Sequence, residues 1–166
     1  MGTDPAMTNP VLAELQDDGA GRLTYRGARY LLIRPETLAA LQHAVDTVAR
    51  GAAAECFASG GRAGGGKAAA SLAGGERERV EALVAMGGRI GWGGFALERM
   101  APGELVVTVT GSPFAEAHGP SSVPVCHLTR GVLEALAASV LSGRPRLTET
   151  ACAAMGAPAC RFEARP

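Results

Sequence analysis

Ser122-Val-Pro-Val-Cys126-His127, then Glu149-Thr-Ala-Cys152, then Cys160-Arg-Phe162: this C-terminal stretch holds three of the chain's four cysteines and sets a carboxylate beside the second. As spacing it reads Cys126-x22-Glu149-x2-Cys152-x7-Cys160. Thiolates and a carboxylate are ligands that a borderline-soft divalent ion accepts, and zinc takes four of them in a closed tetrahedral site. The first gap is long enough for a helix and a turn that bring Cys126 back onto the tail. Gly156 and Pro158 let the chain between the last two cysteines curl round an ion. Spacing alone leaves two other readings open. Free cysteines are small buried hydrophobes in many cores, and Cys152 with Cys160 would form a disulfide in an oxidising compartment.

Working outward from that stretch, residues 128–142 form the clearest helix, with Val132, Leu136 and Val140 in register and Gly143 as its stop. Residues 112–124 read as a loop. Residues 95–100 and 105–110 read as a hairpin turning at Pro102-Gly103, and residues 146–149 and 160–164 as closing strands. Further upstream, residues 76–86 form a helix ended by Gly87-Gly88. Two shorter helices at 52–59 and 67–72 are separated by Gly60-Gly61 and the glycines that follow. Pro35 opens a helix carrying Leu38, Leu41, Val45 and Val48 at helical spacing. Residues 23–25 and 29–33 make a hairpin around Arg26-Gly27, and residues 8–18 a short helix or ordered arm. This order predicts a single α+β domain, an antiparallel sheet packed against several helices.

Composition excludes several function classes. The chain has 166 residues, sixteen basic against sixteen acidic, and no basic stripe, so it lacks the electrostatic footprint of a nucleic-acid binder. It is 47% hydrophobic, yet no run reaches the roughly 18 apolar residues a membrane span needs. With no signal peptide, the expected compartment is the cytoplasm. Residues 1–6 read as a scar of recombinant expression, residues 7–20 as an N-terminal arm, and residues 21–166 as the domain proper.

Two glycine motifs tempt. Gly61-Arg-Ala-Gly-Gly-Gly66-Lys67 has the spacing of a phosphate loop, but Ala68 stands where magnesium needs a hydroxyl and no strand precedes it. The plainer reading is a glycine-rich helix junction where backbones approach closely. Gly91-Trp92-Gly93-Gly94-Phe95-Ala96 fits a dinucleotide fingerprint but runs from helix to strand, the wrong order for one. Of the histidines, His43 reads as solvent-facing, and His118 as exposed or reaching a pocket mouth. His127 reads as a fourth metal ligand in place of Glu149, a hydrogen-bonding neighbour of the metal, or a helix cap. Cys56 reads as core. No catalytic arrangement stands out.

The motif Val123-Pro-Val-Cys126-His127-x2-Arg130-Gly131, followed by Glu149-Thr-Ala-Cys152-x3-Gly156-x2-Ala159-Cys160-Arg-Phe162, resembles the end of a 4-vinyl reductase domain. That family also shows a Gly-Trp-Gly-x-Phe element, here Gly91 to Phe95, and a starting strand pair. The likeness runs from about Gly21 to Phe162. It implies a nitric-oxide-sensor-like ligand-binding fold. It also implies a structural Zn2+ held by Cys126, Glu149, Cys152 and Cys160, as in sensors of aromatic compounds.

Stand-alone members act in bacteriochlorophyll synthesis. The resemblance therefore implies a carrier or accessory subunit for a hydrophobic small molecule, a magnesium-porphyrin of protochlorophyllide type, with a homodimer and a pathway enzyme as partners. The alternatives are an 8-vinyl (4-vinyl) reductase, for which no reductant site is legible, and a sensor of aromatic compounds. Bulky apolar residues near the glycine breaks give the expected pocket lining: Phe57, Leu83, Met86, Trp92, Phe95, Met100, Phe114 and Leu136. Each is equally legible as plain core.

Overall fold

Ser112-Pro113 and Asn9-Pro10 carry the same helix-opening signal, a capping side chain followed by a proline whose missing N–H costs nothing in a first turn. In the computed structural model, which describes residues 9–141 and 145–165, both open short helices. The expression scar read at residues 1–6, and the Ser142 end and Gly143 stop of the C-terminal helix, lie outside the described residues.

The chain divides into two compact units, residues 1–34 and 35–166. In the first, α1 (Pro10–Glu14) precedes β1 (Gln16–Asp17), β2 (Leu23–Tyr25) and β3 (Ala28–Tyr30), an antiparallel sheet in that order. Arg26 and Gly27 both take positive φ, 49° and 77°, the turn whose twist matches a two-residue hairpin. The second strand stops at Tyr30, not at residue 33. Leu31 and Leu32 are apolar enough to read as strand, but no neighbouring strand pairs with them and they are 72% and 82% exposed.

The second unit contains α2 (Pro35–Val48), α3 (Ala53–Ala70), α4 (Glu76–Arg89), β4 (Gly94–Ala101) and β5 (Glu104–Thr110). These are followed by α5 (Pro113–His118), α6 (His127–Val140), β6 (Arg146–Ala151), a 3-10 turn (Ala153–Met155) and β7 (Cys160–Arg165). The sheet runs β4-β5-β7-β6, antiparallel throughout, so the expected α+β class and antiparallel sheet hold.

Three expectations are corrected. The helices expected at 52–59 and 67–72 are one helix, α3, which passes through Gly60, Gly61, Gly64, Gly65 and Gly66 without a break. Close packing explains the glycines. A Cβ on Gly61 would lie 2.2 Å from the Leu128 carbonyl oxygen, one on Gly65 2.8 Å from Val132 Cα, and one on Gly131 2.0 Å from the Ala58 oxygen. Helices α3 and α6 therefore touch backbone to backbone, and the helix-helix contact offsets the poor helix propensity of glycine. The phosphate-loop spacing is a packing pattern inside a helix.

Helix α4 likewise continues past Gly87-Gly88 to Arg89, because Gly87 makes room for the Phe95 ring. The stretch read as loop at 112–124 contains α5. Its cap and proline lie in the sequence but were outweighed by the surrounding Gly and Pro.

Strand alternation decides which face is buried. Leu105, Val107 and Val109 on β5, Phe162 and Ala164 on β7 and Leu147 on β6 share a core with Leu133 and Leu136 of α6 and Val80 of α4. Phe162 is fully buried, and burying such a side chain contributes about 1.5–3 kcal/mol. The opposite face is polar, with Arg161 bridging Glu98 and Glu163. The edge strand β4 carries a bulge between Leu97 and Arg99.

Candidate metal centre and ligand cavity

Register brings the four C-terminal ligands together. Glu149 pairs with Phe162, and Leu147 with Ala164, so the Glu149 side chain points to the same buried face as Leu147. Cys160 opens β7 opposite Val109. Cys152 lies just beyond β6, and Cys126 immediately precedes α6. Their ligand atoms all lie within 4.8 Å of one another, and all four residues are buried. The Cys126 amide donates to Glu149 Oε2 at 3.0 Å. Cys126 Sγ stands 3.5 Å from Cys160 Sγ. The Ala153 amide donates to Cys160 Sγ at 3.3 Å, and Ser112 Oγ lies 3.4 Å from Cys126 Sγ.

Electrostatics inside this cluster are in conflict. Burial pushes the Glu149 carboxyl above its usual range. The hydrogen bond to Cys160, then burial, then the Glu149 charge push Cys126 up, while the Ser112 hydroxyl pulls it back down. Cys152 is pushed up to about 11 by burial and by Glu149. Cys160 is drawn down to about 7 by the hydrogen bond from Cys126 and the Ala153 amide, against its burial. Four acidic groups compete for negative charge in one dry space. Glu149 Oε1 is also buried with no hydrogen-bond partner.

A divalent cation fits this donor set. Such an ion would supply the charge against which these ligands ionise, and a partner for the orphaned carboxylate oxygen. With Zn–S near 2.3 Å, sulfur ligands of a tetrahedral site sit about 3.7 Å apart, close to the 3.5 Å between Cys126 and Cys160. Cys126, Glu149, Cys152 and Cys160 are the residues that would hold it. His127 is not a member of this cluster. It is the first residue of α6, half-buried, and burial, followed by the Arg130 charge, pulls its pKa down.

A cavity adjoins the cluster. Leu38, Ala39 and Gln42 of α2, Phe57 of α3, Phe114 and His118 of α5, Val125 just before α6 and Leu128 in its first turn enclose about 10 Å³, room for roughly one water. Gln42 Nε2 donates to the Val125 carbonyl at 3.3 Å. The His118 ring lies 4.3 Å from that of His43, centroid to centroid, so His43, although exposed, packs against a cavity residue. Trp92 stands edge-on to Phe114 at 4.9 Å and 85°.

Of the residues read as pocket lining, Phe57 and Phe114 border this cavity, and Trp92 packs against Phe114. Leu83 and Leu136 are core, Phe95 and Met100 pack against the core, and Met86 is half-buried on α4. None of these five borders the cavity. His118, read as exposed or reaching a pocket mouth, lines the cavity. Gln42 and Val125 were missed: the polar letter of Gln42 looked solvent-facing, and only adjacency to Cys126 pointed to Val125. Cys56, expected in the core, is exposed on α3.

The family model of the 4-vinyl reductase domain matches residues 105–166. Over those residues the chain is similar to that domain. This matched region is shorter than the likeness read from Gly21 onward, yet it contains all of β5 but its first residue, α5, α6, β6, β7 and all four cluster residues.

Two solved structures share the fold. The phenol-responsive sensory domain of the transcription activator PoxR, in its crystal structure with phenol, superposes at a TM-score of 0.82 with 19% identity. That match covers 95% of this chain and 87% of the other. A vinyl-4-reductase family protein from Methanocaldococcus jannaschii gives a TM-score of 0.52 with 14% identity over 66% of each chain. No curated protein matches the sequence. Among the described residues, no helix is long and apolar enough to cross a membrane.

Proposed function

We propose that this chain is a small-molecule-binding or sensing module, with a structural zinc ion at the Cys–Glu–Cys–Cys cluster and its ligand seated between α2, α3, α5 and the start of α6. The observation that carries this reading is the cavity itself. Apolar and aromatic walls surround a few polar groups, Gln42 and His118, the usual make-up of a small-ligand site. The PoxR domain that shares this fold was crystallised with phenol; the cavity here holds about one water, so a ring of that size enters only if the side chains lining it move apart. The metal centre is closed: four protein ligands leave no position for water activation, so zinc holds the fold here.

A second reading is the magnesium-porphyrin carrier. It finds no room in the cavity, but an open groove of about 510 Å³ lies beside the cluster, lined among others by Ala115, Pro120, Ala154 and Met155. A macrocycle docked there buries apolar area worth about 25 cal/mol per Å² before ordering costs.

One titration separates the two. Trp92 is the only tryptophan, and it touches the cavity wall. Phenol is expected to change its emission saturably, and Phe114→Ala to weaken that response. A magnesium-porphyrin is expected to shift its own absorption only if the groove holds it, and Met155→Asp to abolish that shift. Silence toward both probes sinks the module reading. A homodimer is part of the proposal, supported by Leu41 and Val48, 52% and 88% exposed on α2. Sedimentation at micromolar concentration checks it.

A further inference from the structure

Ser112 lies outside the four-residue cluster and reaches it. The residue is 2% exposed, and its Oγ stands 3.4 Å from Cys126 Sγ. The same oxygen accepts the Ala115 amide at 3.5 Å, capping α5. A hydroxyl has one hydrogen to give. One of its two lone pairs takes the Ala115 amide, and the Cys126 sulfur stands within reach of that hydrogen. A metal-bound thiolate is an acceptor only, so it suits this donor better than a thiol does.

The helix capped by Ser112 forms one wall of the cavity through Phe114 and His118. The chain just after this helix is also tied to the cluster's surroundings, because the Ser121 amide donates to Ala154 O in the turn between Cys152 and Cys160. Val125, next to Cys126, completes the shared wall. The cavity and the cluster therefore have α5 and the Val125–Cys126 peptide in common.

We propose that Ser112 is a positioning residue of the metal centre, donating to the Cys126 thiolate while holding the first turn of α5, so that metal occupancy orders the cavity wall. Its use in ligand recognition rests on the small-molecule reading, but the coupling itself does not require a ligand.

The test uses zinc alone. Competition against a chromophoric chelator is expected to show Ser112→Ala binding Zn2+ about 10–100-fold more weakly, the usual cost of losing a partner that orients a ligand. Ser112→Thr, which keeps the hydroxyl, is expected to restore most of that affinity. In the parent protein, zinc is expected to slow amide exchange across residues 113–118 and to change Trp92 emission. In Ser112→Ala both responses shrink.

Glu78→Ala serves as a control for simple destabilisation, since it removes the side-chain oxygen that accepts the Gly75 amide at the start of α4, away from the cluster. It is expected to leave zinc affinity unchanged. Should Ser112→Ala fail to fold, the exchange comparison on the parent still decides. Equal exchange at 113–118 with and without zinc overturns the proposal, as does a folded Ser112→Ala that binds zinc like the parent. Failure of phenol binding would instead count against the functional reading and leave this coupling standing.

Discussion

Glu149 is a residue whose value depends on what sits beside it. Without a cation it is a buried carboxylate with one oxygen unpartnered. With one it is a ligand. Glu149→Gln keeps an oxygen for the Cys126 amide and removes the charge. Metal-free, this variant is expected to be more stable than the parent at pH 7, by on the order of 1 kcal/mol. It is also expected to bind zinc more weakly. Thermal melts with and without zinc check both signs.

The pH dependence follows from the raised carboxyl. A folded pKa above the unfolded value, about 4.3 for glutamate, means stability that is full below that value and lost as pH rises through the folded one. The metal-free parent should therefore lose stability relative to Glu149→Gln on going up from about pH 4.3. Zinc-loaded protein runs the other way, because protons compete for its ligands. A parent-minus-variant difference that stays flat with pH would contradict the assignment.

At the scale of elements, the α3–α6 contact makes glycines in one helix unequal. Gly131→Ala would drive a Cβ into the Ala58 carbonyl, which cannot give way without separating the helices. It is expected to destabilise by about 1–3 kcal/mol or more. Gly64 faces open space with an ordinary helical backbone. Gly64→Ala is expected to stabilise by about 0.4–1 kcal/mol, by restricting the unfolded chain. Chemical denaturation measures both.

The same contact shows why part of the fold was hidden in the sequence. Strands β4 and β5, and helices α2 and α6, were legible because alternation or helical spacing is local. Glycines at 60–66 are locally a break, and only the partner helix, far along the sequence, turns them into an interface. Helix α5 was missed for the opposite reason: its cap was present at Ser112-Pro113, but so short a helix gives too little periodicity to outweigh Gly119 and Pro120. The meeting of Cys126, Glu149, Cys152 and Cys160 was the most legible part of the candidate site, since residue types that suit a metal can be read from spacing. The cavity was the least, since Gln42, His118 and Val125 meet only through tertiary packing.

For the whole molecule, the cluster ties together the start of α6, the end of β6, the turn after it and the start of β7. Binding free energy at such a knot is also folding free energy. Removing zinc with a chelator is expected to lower Tm by about 10 °C or more, at about 2–4 °C per kcal/mol for a chain of this size. Cys152→Ser and Cys160→Ser are expected to reproduce that loss and to be insensitive to the chelator. Melts that ignore both the chelator and the cysteine replacements would remove the structural role for metal.

The bulge on β4 bears on how the protein behaves in concentrated solution. With sixteen positive and sixteen negative side chains and an isoelectric point near 6.8, copies of this chain carry almost no long-range repulsion at neutral pH. Colloidal stability then falls to short-range devices. An outermost strand of a sheet is where two copies would zip edge to edge, and at the β4 edge the kink between Leu97 and Arg99, with the charges of Glu98 and Arg99, spoils the flat ladder such zipping requires.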